Sequence, residues 1–133
     1  MPGKSPPPLV QAFVVCREIH EAPETKELTL VAPFSAFTPP QYPAPLRFSI
    51  YAHLTEARGR YAMSLQLEDS EGQIVWNGKI PAVEEQNPLR SNRIAKNGIV
   101  VQIPGPDRYS LTILANGDEL AHHVLIARSP SQN

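Results

Sequence analysis

The segment from Asn97 to Ile126, N-G-I-V-V-Q-I-P-G-P-D-R-Y-S-L-T-I-L-A-N-G-D-E-L-A-H-H-V-L-I, constrains the fold more than any other part of the chain. Three short apolar runs are separated by two turn signals of different kinds. Pro104-Gly105-Pro106-Asp107 breaks the first run, and Asn116-Gly117-Asp118 closes the second onto the third. Asn-Gly between apolar runs is a strong hairpin signal, because both residues tolerate the positive φ that a type I′ turn requires. From Tyr109 the side chains alternate, with Tyr109, Leu111, Ile113 and Ala115 on one face and Ser110 and Thr112 on the other. That period of two belongs to a half-buried strand. The segment predicts an all-β chain folded as an antiparallel β-sandwich.

Proline usage agrees. The sequence holds 15 prolines, clustered at residues 6–8 and 39–45 and otherwise scattered between apolar runs. Proline cannot donate to a sheet ladder, so so many must sit in turns, edges and tails, and long helices are excluded. At 133 residues the chain is one domain, able to bury about two thirds of its unfolded surface. A net charge of −1 and a pI near 6.4 give no electrostatic reason to expect nucleic acid or an anionic membrane as partner. The one cysteine, Cys16, has no internal partner for a disulfide, the N-terminal M-P-G-K-S-P-P-P lacks a signal-peptide core, and no apolar run reaches the length of a membrane span. A cytoplasmic protein is the expectation.

Read in order, residues 1–8 are expected to form a flexible Pro-rich tail, residues 9–128 the sandwich, and residues 129–133 a second flexible tail. Val10 to Ile19 is apolar on both faces and reads as a covered strand. Glu21 to Glu27 is a charged turn, and Leu28-Thr29-Leu30-Val31 returns as the second strand of a hairpin. Leu46, Phe48, Ile50, Ala52 and Leu54 alternate with Arg47, Ser49, Tyr51 and His53. Tyr61, Met63, Leu65 and Leu67 repeat the pattern before the Asp69-Ser70-Glu71-Gly72 turn and a run from Gln73 to Trp76. Residues 77–97, polar and carrying Pro81 and Pro88, predict an irregular crossover between sheets. The expected core comprises Val14, Leu30, Phe48, Ile50, Met63, Leu65, Leu67, Trp76, Val101, Tyr109, Leu111 and Ile113.

Gly59-Arg60-Tyr61 and Asp107-Arg108-Tyr109 enter their alternating runs alike, 48 residues apart; two hairpins built to one pattern explain this without duplication. The Asp107-Arg108-Tyr109 entry resembles the tyrosine corner of immunoglobulin-like and fibronectin type III-like sandwiches, in which a tyrosine at a strand start bonds back to nearby backbone. That resemblance implies such a sandwich, of seven to nine strands. The antibody-type Cys-Trp-Cys framework is absent. Over most of the chain, V-Q-A-F-V-V-C-R-E-I, L-T-L-V-A-P-F-S-A-F and R-Y-S-L-T-I-L-A-N-G-D-E-L-A resemble an uncharacterised bacterial family of small stand-alone proteins. The resemblance implies a bacterial cytoplasmic origin and brings no activity.

Reactive groups do not converge in the sequence. His122 and His123 are adjacent on an expected strand and point to opposite faces. Cys16 lies in the most apolar stretch, where a thiol behaves as a small hydrophobe. No G-x-S-x-G, H-E-x-x-H or glycine-rich phosphate loop occurs. No catalytic residue, metal ligand or cofactor is therefore expected. Glu68-Asp69-Ser70-Glu71, Asp107 and Asp118 would bind Ca²⁺ only if several loops converged to give about six to eight oxygens. Tyr42, Tyr51, His53 and Trp76 are the candidate ligand contacts, as an aromatic platform for a carbohydrate; the favoured reading against this has Trp76 filling the core and Tyr51 pairing across strands. Pro39-Pro40-Gln41-Tyr42 matches a motif read by aromatic grooves. The expected function is a non-catalytic protein-interaction or scaffold module, with a protein partner or a second copy pairing along the apolar first strand at a sheet edge. The alternatives are a small-ligand module for carbohydrate or Ca²⁺, and an enzyme whose site is not recognisable residue by residue.

Overall fold

The computed structural model describes residues 6–130 and contains nine strands and no helix among them. They are β1 (Leu9–Glu21), β2 (Leu28–Pro33), β3 (Ala36–Phe37), β4 (Ala44–Thr55), β5 (Gly59–Glu68), β6 (Ile74–Glu85), β7 (Asn92–Ile103), β8 (Asp107–Ala115) and β9 (Asp118–Ala127). One sheet has the order β2-β1-β4-β7 and the other β3-β9-β8-β5-β6. Every pairing is antiparallel except the short one of β3 with β9. The expected all-β, two-sheet sandwich is what these residues build.

The two inner faces are the alternating sets read from the sequence. Phe48, Ile50, Ala52 and Leu54 of β4 meet Leu65 and Leu67 of β5 and Leu111 and Ile113 of β8, each with no exposed surface. The β8–β9 hairpin turns through Asn116 (φ 51°) and Gly117 (φ 85°), with Ala115 opposite Asp118, the two-residue turn of the expected type. Tyr109 is buried and its hydroxyl donates to Gly105 O at 2.7 Å, so the tyrosine entering β8 does bond back across its loop. Tyr61 repeats the device at the start of β5: its hydroxyl accepts from Arg58 N–H at 2.9 Å, and its single proton lies within reach of Pro6 O at 2.8 Å and Arg58 O at 3.0 Å.

Three readings are corrected. Residues 77–97 do cross between the sheets, but not irregularly: β6 of one sheet runs to Glu85, β7 of the other starts at Asn92, and only a short turn lies between. Bulges hide both strands from a period-two reading. Tyr61 pairs with Val83 but Met63 with Ile80, so Pro81 and Ala82 together oppose Ala62. An edge bulge is a place where a residue without N–H is tolerated. In β1, Val15 rather than Val14 faces the core, and Leu30 and Trp76 are half-buried. Finally, β1 is not an edge strand along its whole length, because β2 lies outside it from Cys16 to Glu21. Of the expected tails, residues 1–5 and 131–133 lie outside the described residues; Pro8 is buried and Pro6 is held by Tyr61.

Candidate functional site

The four candidate contact residues are not brought together. Trp76 lies on β6 with Gly78 and Ile80 on the core side; its indole covers Gly78 so closely that a Cβ there would sit 2.6 Å from Trp76 Cζ2. Tyr42, in the loop before β4, donates to Arg128 O at 2.7 Å and packs against the core, and burial raises its phenol above the ordinary value. Tyr51 and His53 share the outer face of β4, opposite Val14 and Ala12 of β1 and Ala95 and Arg93 of β7. Only these two are neighbours.

The carboxylates are also apart. Asp69 caps its own turn, its Oδ1 accepting from Glu71 N–H (3.0 Å) and Gln73 N–H (2.9 Å). Asp107 joins that end of the sandwich, accepting from Ser70 N–H at 3.3 Å, and bonds from Ser70 hold its carboxyl below the usual range. Asp118 stands at the opposite end of β8. Among the described residues no group of three or more His, Cys, Asp or Glu could hold a metal ion. His122 is exposed, whereas His123 faces inward with its Nδ1 buried and unpartnered. Burial pushes the Cys16 thiol up, away from the reactive thiolate.

What the sequence does not announce is the path of the β1–β2 hairpin. After Cys16 it leaves β4 and crosses towards β7. The Asn97 side chain receives it: Ile19 N–H donates to Asn97 Oδ1 and Asn97 Nδ2 donates to Ile19 O, both at 2.9 Å. Ser49, fully buried, lies 2.8 Å from Asn97 Oδ1 and 3.2 Å from Arg17 O. Asn97 can reach because Asn97 and Gly98 (φ 70°) form a bulge opposite Ser49, with Phe48 paired to Ile99 and Ile50 to Lys96. Further out, Arg93 donates to Lys26 O at 3.3 Å and fixes the hairpin tip.

This displacement opens a flank. Residues Leu9–Val15 pair with β4 on one side and have no strand on the other, because β2 begins its pairing only at Cys16. Across the sandwich, β3 covers only Ile126 and Ala127 of β9, leaving the outer edge of Asp118–Leu125 equally bare. Phe34 N–H donates to Val15 O and Ile126 N–H to Ser35 O, which shows which backbone groups face this side. By the alternation of strand backbones, the polar groups of Phe13 on β1, and of Val124 and His122 on β9, face it too. Of the other edges, β6 carries Lys79, Pro81 and a bulge, β7 carries Arg93, Lys96 and a bulge, and β2, the outermost strand beyond β1, is short and ends in Pro33. Leu9–Val15, L-V-Q-A-F-V-V, has no charge, proline or glycine, only a bulge at Gln11.

Fold and flank together define a two-sheet β-sandwich domain in which the uncharged Leu9–Val15 edge of β1 lies beside β9 with no hydrogen-bonded strand on that side. Within that class, the chain belongs to the family of unknown function DUF6941, whose match spans residues 11–128. No curated protein matches the chain. Among solved structures 27 chains match. One is Pseudomonas fluorescens alkylpurine DNA glycosylase AlkC bound to DNA containing an abasic site analog, 13% identical, with a TM-score of 0.57 over 91% of this chain and 30% of that one. The present chain thus spans less than a third of the glycosylase chain, and the likeness is one of fold.

Proposed function

We propose that this domain is a non-catalytic protein-interaction module that accepts an extended segment of a partner protein as an added strand along the free edge of Leu9–Val15. One observation carries the reading: apart from the bond from Phe34 N–H to Val15 O this edge has no strand partner, and it lacks the charges and proline that guard β6 and β7. Strand addition supplies affinity through main-chain hydrogen bonds and selectivity through alternate side chains. The occupant that fits is an uncharged, β-branched segment, since Leu9 and Val10 at this edge offer apolar surface and Leu9 is 50% exposed. The same reading takes the domain to be immunoglobulin-like, supported by the Tyr109 corner, and to work in a bacterial cytoplasm without nucleic acid, supported by the lone cysteine and the balanced charge.

Hydrogen exchange on the tagged protein, alone and with the protein captured by it from its native lysate, tests the reading. The amides of Phe13 and Val124 exchange readily in the isolated chain and become protected in the complex, and Leu9→Lys abolishes capture while leaving the fold intact. Protection elsewhere, or capture unaffected by Leu9→Lys, overturns the proposal. Light scattering separates a second copy from a foreign partner: a dimer dissolved by Leu9→Lys makes the chain its own occupant.

A further inference from the structure

A cleft of about 280 Å³ lies where the chain crosses from β2 to β3 and enters β4. Its walls include Arg17, Phe34, Phe37, Thr38, Leu46 and Arg47, and none of its lining residues is acidic. The two guanidiniums are positioned rather than loose. Arg17 lies over the Phe34 ring, 5.8 Å from its centroid, an arrangement that holds a cation by the ring's negative face. Arg47 is laid against the β7 bulge, with Nη2 3.4 Å from where a Cβ of Gly98 would stand. Among the described residues neither guanidinium has a carboxylate partner; the one ion pair there joins Glu18 to His20. Two cations on one cleft without an anion repel each other, and the chain's net charge of −1 shows that this is a local excess rather than general basicity.

The chemistry of the walls selects among anions. A phosphate is commonly held by backbone N–H groups of a glycine-rich turn or a helix N-terminus. Here Pro39 and Pro45, which have no N–H, stand in the lining, and Arg17, Arg47 and Thr38 bring side-chain donors to it. A planar guanidinium pairs in forked hydrogen bonds with carboxylate and phosphate alike, so the neighbouring apolar wall is what favours a carboxylate on an apolar body. Phe34, Phe37 and Leu46 offer an apolar wall beside those donors, and Thr38 a hydroxyl. At roughly 30 Å³ for each water displaced, the cleft holds a group on the order of ten heavy atoms.

We infer that Arg17 and Arg47 form a binding site for a carboxylate carried on a small apolar body, either a free aromatic or aliphatic acid or the terminal residue of a peptide. The site is separate from the β1 edge and stands independently of strand addition there. Benzoate and inorganic phosphate, each titrated into the labelled protein by nuclear magnetic resonance, test it. Benzoate is expected to give saturable shifts at the Arg17 and Arg47 Nε–Hε groups and at the Thr38 amide. Both arginines are exposed, so Arg17→Gln and Arg47→Gln should leave the rest of the spectrum unchanged while each weakens binding about tenfold, as loss of a charge-assisted hydrogen bond implies. Arg47→Lys, which keeps the charge and loses the fork, should fall between. A short peptide ending in phenylalanine, compared with its C-terminal amide, separates the sources. Tighter binding of the free-acid peptide than of benzoate assigns the site to chain termini, and the reverse order to free acids. The absence of saturable shifts, shifts that persist in the double Gln variant, or phosphate binding as strong as benzoate binding would overturn the assignment.

Discussion

Truncating Asn97 to alanine would leave the N–H and C=O of Ile19 without the partners they now have, while the hydroxyl of buried Ser49 would keep only Arg17 O. A buried group left unsatisfied costs about 1–3 kcal/mol, so Asn97→Ala should lower stability by about that much in urea denaturation, although its side chain adds almost nothing to the core. Unchanged stability would show that the hairpin arm is not held by this amide. His123 gives a second prediction at this scale. Burial lowers its pKa in the folded chain below the ordinary 6.5, outweighing a backbone bond at Val124 that raises it, and its buried Nδ1 has no hydrogen-bond partner. The unfolded chain therefore binds more protons than the folded one as pH falls below 6.5. Stability is complete above that pH and declines below it. His123→Gln should flatten the decline, measured as denaturation midpoints between about pH 7 and 5. A slope unaffected by the substitution would place the titrating group elsewhere.

At the scale of single strands, β6 depends on an aromatic lid. Trp76 lies against Gly78, and a methyl group at 78 would meet the indole at 2.6 Å. Gly78→Ala should therefore displace the chain's one tryptophan, shift its fluorescence to the red, and cost about 1–3 kcal/mol by overpacking. An unchanged emission maximum would mean that the edge strand, rather than the ring, gives way. The same strand shows why some elements were legible in the sequence and others were not. β4, β5 and the β8–β9 hairpin could be read directly, because their inward residues fall every second position and Asn116-Gly117 fixes a tight turn. In β6 the inward residues Ile80 and Val83 are three apart, since a bulge inserts one residue, and Pro81 within that bulge argued for a loop. β7 hides likewise behind the Asn97-Gly98 bulge. The expected contact set of Tyr42, Tyr51, His53 and Trp76 assumed that aromatic and polar side chains would gather. Trp76 packs against the core, as its place in the expected core implied, but residue type does not reveal that Tyr42 is bonded to Arg128, 86 residues away. The open β1 edge was half-legible. Its apolar character is in the sequence, but its exposure follows from the departure of the hairpin at Cys16, which rests on an amide 78 residues from Ile19.

For the molecule as a whole, one contiguous core joins both sheets, from Val15 and Phe48 on one side to Leu67 and Leu111 on the other. Few pairings that build it are local: β1 with β4, β4 with β7 and β5 with β8 each span long stretches of chain. No sheet can bury its inner face without the other, so the sandwich should unfold as one unit. The two candidate binding surfaces lie on this unit, one along β1 and one where β2 crosses to β3; both share residues with the core, Val15 and Leu46 among them, but Leu9, Arg17 and Arg47 are exposed. Their substitutions should change binding without changing stability, whereas a core substitution should do the reverse. Leu111 provides the test, because it has no exposed surface and packs between the sheets. Leu111→Ala should cost about 2–5 kcal/mol, the range for a buried leucine that leaves a cavity. The Trp76 fluorescence transition, reporting on the β6 edge, and the far-ultraviolet circular dichroism transition, reporting on both sheets, should move together to lower denaturant. Separation of the two curves would show that the sheets can part, and that the open flank belongs to a less stable half rather than to a single rigid sandwich.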